Sequence, residues 1–118
     1  MSFSAHKIFN HRRVFLIQRA SAMLLAPLVV VHLLLIVLAV RNGLTADEIL
    51  SRTRGSFFWA AYYSLFVVAV SLHAPIGLRN IMLEWTSMGD RKATMVSLLF
   101  ALVLLLTGLR AVVAVVGA

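Results

Sequence analysis

The sequence lacks cysteine and has only four acidic residues among 118. Without cysteine, the chain itself can form no disulfide, zinc–thiolate site or iron–sulfur cluster, so metal or redox chemistry within it depends on histidine or on a partner. Charged residues make up 13 % of the chain, whereas an ordinary soluble domain has about a quarter. This scarcity of charge argues against a soluble enzyme.

Apolar residues are abundant, at 62 % of the chain, and the mean hydropathy is +0.98. A chain of this length cannot bury so much apolar surface in a core of its own, because small domains bury a smaller share of their surface. A membrane must therefore be the solvent. The net charge of +7 is spread over several short segments without a basic stripe, so we expect no nucleic-acid partner.

Three continuous apolar runs cover residues 14–40, 57–83 and 93–116. Each can cross a hydrocarbon core of about 30 Å, which takes about 20 helical residues. The runs show no alternation of apolar and polar residues, so strands are disfavoured. The sequence predicts an all-α integral membrane protein, with residues 1–118 as one domain and three transmembrane helices.

Basic residues predict the orientation of these helices. Lys7, Arg12 and Arg13 precede the first span without any acid, and Arg91 and Lys92 lie between the second and third spans. The excess of Lys and Arg in cytoplasmic segments places the N-terminus and the 84–92 loop in the cytoplasm. The 41–56 loop and the C-terminus then face outward.

The outer loop carries a helix-start signal, in which Thr45 and Glu48 form a T-x-x-E capping box. We expect a short amphipathic helix over residues 46–53 at the outer surface. The N-terminal segment shows no Arg/Ser-rich transit peptide, which favours a bacterial protein of the inner membrane.

Two histidines lie deep in the predicted spans, His32 in the first and His73 in the second. An ionisable side chain inside a membrane is costly and calls for a partner. Neutral imidazole can ligate iron without carrying a charge. The alternative is a histidine hydrogen-bonded to a serine or a backbone carbonyl of a neighbouring helix.

Gly77 follows His73 by one helical turn and lies on the same face, where a missing side chain leaves room for a flat macrocycle or simply for close helix packing. Arg79 can pair with a cofactor carboxylate, bind a quinone oxygen, or extend to the lipid headgroups. Arg19 and Ser21 form a polar notch early in the first span, although Arg19 can also serve as a topogenic charge. Trp85 fits an aromatic belt or the border of a quinone pocket.

Two segments carry a family resemblance. The run from Gln18 to Ala22 is similar to an H-R-x-S-G or R-A-T-A start of a first helix, and the run from His73 to Arg79 is similar to an H-x-x-x-G-x-R segment of a second helix. The chain resembles the cytochrome b membrane-anchor subunits of succinate dehydrogenase and fumarate reductase. It departs from them at Gln18, where many members have histidine, and at Trp85, where many have the tyrosine that helps bind the quinone.

The resemblance implies that His73 is an axial ligand of haem b, with Gly77 packing beside the haem. It implies that Arg19 and Ser21 lie near a ubiquinone or menaquinone site, and that Arg79 contacts a haem propionate or the quinone. It also implies an iron–sulfur subunit as docking partner, which in turn carries a flavoprotein subunit. The chain would itself carry no flavin chemistry.

The depths of the two histidines bear on the haem. If Arg19 and Arg79 lie at the same depth near the inner side of the membrane, His32 lies about 10 Å deeper than His73, at 1.5 Å per residue. One haem between them would be strained, so the second ligand of His73 is expected from another chain, either a different anchor subunit or a second copy. In a homodimer the two His32 side chains could hold a second haem, with Arg110 near its propionates.

The sequence thus predicts a membrane anchor of a succinate:quinone or quinol:fumarate oxidoreductase. It would bind haem b, form part of the quinone site and pass electrons between the iron–sulfur subunit and membrane quinone. The alternative is a non-redox membrane subunit, an assembly factor or a half-transporter. A half-transporter is disfavoured because an intramembrane carboxylate and paired broken helices are missing.

Overall fold

The computed structural model describes residues 11–117. In this range α1 runs over His11–Arg41, α2 over Ala46–Thr53, α3 over Phe57–Trp85 and α4 over Asp90–Val116. The prediction of three long apolar helices without strands is confirmed for residues 11–117, since α1, α3 and α4 are long and apolar enough to cross a membrane. Lys7, one of the charges behind the predicted orientation, lies outside the described residues.

Glycine ends the first long helix. Gly43 adopts a positive φ of 63°, which side chains with a Cβ rarely adopt. Its N–H donates to the Val40 carbonyl, and the Leu44 N–H donates to the Ala39 carbonyl. This pair of bonds is the Schellman motif, which satisfies carbonyls left without partners at a helix end. The chain therefore turns sharply into α2.

Hydroxyl caps begin the next two helices. The Thr45 side chain accepts from the Glu48 N–H, and the Glu48 carboxylate accepts from the Thr45 N–H, so the capping box is formed at the start of α2. Gly55, with φ of 70°, makes the turn after α2. The Ser56 hydroxyl then accepts from the Trp59 N–H and begins α3.

Helix α3 is the central element of the bundle. It packs against α1 on one side and against α4 on the other, whereas contacts between α1 and α4 are sparse. Gly108 allows a particularly close approach of α4 to α3, because a Cβ there would lie 2.6 Å from Val67 Cγ1. The small buried residues Ala93 and Ser97 continue this contact along α4.

Most of the apolar surface stays uncovered by the protein. At most 11 % of the most apolar stretch of any of the three long helices is buried. Large side chains such as Leu34, Leu99 and Leu106 are more than half exposed. Lipid or partner helices must cover this surface, because exposing so much apolar area to water costs free energy.

The two ends of the bundle differ. At one end, which we call the α2 end, the Thr53 hydroxyl donates to the Val115 carbonyl at 2.7 Å and the Gly55 N–H donates to the Val116 carbonyl at 2.9 Å. These bonds tie α2 and the following turn to the last turn of α4. The opposite end, which we call the Arg79 end, contains the start of α4. The assignment of these ends to sides of the membrane stays a prediction.

Candidate functional site

His73 lies at the interface of α3 with α1, opposite Ser21. The Ser21 Oγ and His73 Nδ1 atoms are 3.3 Å apart, and Ser21 is only 5 % exposed. The Ser21 hydroxyl also donates to the Gln18 carbonyl of its own helix at 3.1 Å. The contact with a serine, one of the two alternatives open for His73, is therefore present at Nδ1. Within residues 11–117 the Nε2 atom has no hydrogen-bond partner, so it is available to a ligand.

One turn further along α3, Gly77 faces Gln18 of α1. A Cβ at Gly77 would lie 3.5 Å from the Gln18 Nε2 atom, which is an ordinary van der Waals contact. The Gln18 Oε1 atom is buried and has no hydrogen-bond partner within residues 11–117. The space beside Gly77 is therefore bordered by an amide whose carbonyl oxygen still needs a donor.

Gln18 is a site residue that the sequence did not single out for a role. It precedes Ser21 by three residues, a spacing that places two side chains on the same face of a helix. This spacing was a signal that could have identified it. Gln18, Ser21, His73 and Gly77 together form what we call the histidine site.

Arg79 on α3 contacts two residues at the start of α4. Its Nε donates to the Thr94 Oγ1 at 2.9 Å, and its Nη2 lies 3.4 Å from the Asp90 Oδ1. The Arg79 side chain is 12 % exposed, while that of Asp90 is 70 % exposed. His73 thus contacts α1, whereas these contacts of Arg79 are with α4.

Arg19 and Ser21 do not form the shared notch expected from the sequence. Ser21 is buried against α3, whereas Arg19 is exposed and its guanidinium lies 5.7 Å from the Phe15 ring centroid. Successive helical residues are about 100° apart, at 3.6 residues per turn, so two residues that are two positions apart point to nearly opposite faces of the helix. Trp85 is the last residue of α3 and is 81 % exposed. Both Arg19 and Trp85 are therefore placed to contact a neighbouring molecule.

His32 lies on the same interface as His73 but nearer the α2 end. Its ring contacts Tyr63 and Phe66 edge-on, with centroid distances of 6.0 and 5.3 Å. Its buried Nδ1 atom has no hydrogen-bond partner within residues 11–117. A mainly apolar cavity of about 280 Å³ adjoins the ring and extends to Arg52 beneath α2. Arg110, expected near a second haem, is exposed on α4.

The sequence analysis placed Arg19 and Arg79 at the same depth along the bundle, and this is wrong. Since Ser21 lies opposite His73, Arg19 is about 3 Å from the His73 level along the helix axis, whereas Arg79 is about 9 Å from it. The sequence estimate assumed a helix register that side-chain packing does not adopt. From its ring contacts with Phe66 and Tyr63, His32 lies about 10–15 Å from His73 along α3, at 1.5 Å per residue. The two histidines of one chain are therefore well separated along the bundle.

The sequence model of a known family matches residues 12–111, and its description is succinate dehydrogenase/fumarate reductase transmembrane subunit. The chain belongs to this family. The match contains both segments on which the resemblance was based. No curated protein and no solved structure matches the chain.

Membership identifies the chain as a multi-pass membrane-anchor subunit of a succinate dehydrogenase or fumarate reductase complex. Within this anchor subunit, the structure brings Ser21 and His73 together and places Gly77 beside them. Arg79 is bonded to Thr94 of α4, Arg19 lies over the Phe15 ring, and Trp85 is exposed at the end of α3. The histidine site thus combines one imidazole with two polar side chains of α1.

Proposed function

We propose that the chain binds haem b through His73 and forms part of the quinone site of a succinate:quinone or quinol:fumarate oxidoreductase. The observation that carries the proposal is the Ser21–His73 contact, which engages Nδ1 and leaves Nε2 available. Imidazole ligands of metals usually have the other ring nitrogen hydrogen-bonded, because that bond fixes the tautomer and the ring orientation. The residues present therefore fit an axial ligand.

The second axial ligand comes from another chain. His32 contacts Phe66 and Tyr63, about 10–15 Å along α3 from His73, a separation that would strain one haem held between them. The sparse contact between α1 and α4 and the large exposed apolar surface support a further helical partner. We propose that this partner is a second anchor chain, either a different subunit or a copy of this one.

The quinone contacts are proposed at the Arg79 end. Exposed Arg19 and Trp85 can face a molecule bound between two anchor chains, and Arg79 is held nearby by Thr94. The Gln18 amide borders the space beside Gly77, and its buried Oε1 atom needs a donor that residues 11–117 do not supply. Gly77 keeps this part of α3 free of a side chain.

The iron–sulfur subunit is proposed to dock at the same end. Arg91 and Lys92 begin α4 with exposed side chains, and Arg13 is exposed near the start of α1. These charges suit an acidic docking surface, and they also follow the cytoplasmic bias of basic residues. We therefore propose that the Arg79 end faces the cytoplasm of a bacterium, with the chain in the inner membrane and the flavoprotein subunit beyond the iron–sulfur subunit.

Bound haem b would supply a one-electron carrier within the membrane. The protein contributes the ligand His73, the hydrogen bond that orients it, and an apolar surrounding, which are the usual means of tuning such a group. For the quinone, Arg19 and Arg79 supply positive charge and hydrogen-bond donors that hold an oxygen in place. Flavin chemistry stays with the partner subunits.

A visible spectrum of the purified complex tests the proposal. The chain is co-expressed with its flavoprotein, iron–sulfur and second anchor subunits, and spectra are taken oxidised and reduced. We expect a Soret band and a reduced α-band that are both lost in His73→Ala. Leu72→Ala, a change at an exposed neighbouring position, is expected to keep them.

Co-purification of the other subunits shows whether the His73→Ala complex still assembles. Absence of a Soret band from the wild-type complex would contradict haem binding and favour a haem-free anchor or an assembly factor. A His73→Ala complex with full haem content and quinone reduction would contradict the assignment of the ligand.

A further inference from the structure

The direction of the hydrogen bonds around Ser21 can be worked out from the donors available. A hydroxyl has one proton to donate and can accept two hydrogen bonds. The backbone carbonyl of Gln18 can only accept, and it lies 3.1 Å from the Ser21 Oγ. The hydroxyl proton therefore belongs to this bond. Toward His73, 3.3 Å away, the Ser21 oxygen is left to accept.

This direction determines the tautomer of His73. An accepting Ser21 oxygen requires the proton on His73 Nδ1, and a neutral imidazole then has its lone pair on Nε2. With Ser21 only 5 % exposed, bulk water has little access to take its place. The chain of donors runs from His73 Nδ1–H to Ser21 Oγ–H and ends at the Gln18 carbonyl.

We infer that Ser21 is a positioning residue that holds His73 in the Nδ1-protonated tautomer and directs Nε2 toward the haem iron. The inference rests on the proposed haem function and gives Ser21 a different role from a quinone contact. A hydrogen bond accepted from Nδ1–H makes Nε2 a stronger donor to the metal. Stronger donation favours the oxidised iron, so Ser21 is expected to lower the haem midpoint potential.

The test compares three variants in the assembled complex. Ser21→Ala removes the acceptor, Ser21→Thr keeps a hydroxyl, and Ser97→Ala removes a buried hydroxyl of α4 that has no hydrogen-bond partner within residues 11–117. The readouts are the haem midpoint potential from an equilibrium redox titration, the low-temperature electron paramagnetic resonance spectrum of the oxidised haem, and the haem retained on dilution in detergent.

We expect Ser21→Ala to raise the midpoint potential, to change the resonance spectrum, and to weaken haem retention by about tenfold, which is the lower end for removing such an orienting partner. Ser21→Thr should restore the wild-type values, and Ser97→Ala should leave them unchanged. Because the Gln18 amide could move to replace the lost acceptor, Ser21→Ala is also combined with Gln18→Leu, which removes this substitute.

Wild-type potential and haem retention in the Ser21→Ala/Gln18→Leu protein would overturn the inference. So would a Ser21→Ala protein whose potential is unchanged but whose KM for quinone rises, since Ser21 would then be a quinone contact. Both results require a haem in the wild type that His73→Ala removes. A wild-type complex without haem contradicts the proposed function instead, so the two failures are distinguishable.

Discussion

Substitution of Gly108 by alanine provides a sharp test of how α4 packs on α3. A Cβ at this position would lie 2.6 Å from Val67 Cγ1, 2.9 Å from Cγ2 and 3.3 Å from Cβ. Carbon atoms in favourable contact are about 3.5–4.0 Å apart. The β-branched valine has little rotamer freedom in a helix, so the helices must separate by about 1 Å to reach that distance.

Overpacking of this kind costs typically about 1–3 kcal/mol. We therefore expect Gly108→Ala to lower the free energy of unfolding by that amount. Equilibrium unfolding in mixed micelles of dodecyl maltoside and sodium dodecyl sulfate, followed by circular dichroism, measures the change. Because the three atoms nearest to the added Cβ all belong to the Val67 side chain, combining Gly108→Ala with Val67→Ala should recover most of the stability lost in Gly108→Ala.

Gly89→Ala is the matched control. A Cβ at Gly89 meets no atom within 4 Å and its φ of −77° is open to alanine, so the change tests only the modest preference of this N-cap position for glycine. We expect a change well below that of Gly108→Ala. Equal stability of the Gly108→Ala protein and the wild type, or a coupling energy near zero between Gly108 and Val67 in the double-mutant cycle, would refute the proposed close contact of α3 with α4.

Two further predictions concern the α2 end. Thr53→Val removes the hydrogen bond to the Val115 carbonyl and should lower the free energy of unfolding by about 1 kcal/mol in the same assay. Ser51→Ala, at an exposed site whose hydroxyl bonds within α2, should leave that free energy unchanged. Equal losses of stability in the two variants would argue against a role of α2 in holding α4. If His32 holds a second haem, His32→Ala should halve the haem-to-protein ratio measured by a pyridine haemochrome assay. An unchanged ratio would contradict haem binding by His32.

Helix positions followed from the sequence closely. The apolar runs 57–83 and 93–116 lie inside the observed helices Phe57–Trp85 and Asp90–Val116. Apolar length is a property of each segment and needs no knowledge of its neighbours, because every backbone polar group in a membrane helix is satisfied within the segment. The family resemblance drawn from the segments at Gln18 and His73 is confirmed for the same reason, since both are local motifs.

The site was less accessible to sequence reasoning. His73 and Ser21 were both singled out, and a serine of a neighbouring helix was one alternative for His73, but the sequence did not identify Ser21 as that serine. Arg19 was grouped with Ser21 by proximity in sequence, yet the helix turns it to the exposed face. Gln18 received no role because its neighbour Gly77 lies on another helix.

By itself, the sequence determined how many helices can cross a membrane and which histidines lie inside the spans. The tertiary structure decided that α3 stands between α1 and α4, that Ser21 meets His73, and that Arg79 is held by Thr94. Helix formation depends on hydrogen bonds within each segment, whereas the register between helices depends on side chains packing across an interface. That register sets the separation of His32 from His73 along the bundle.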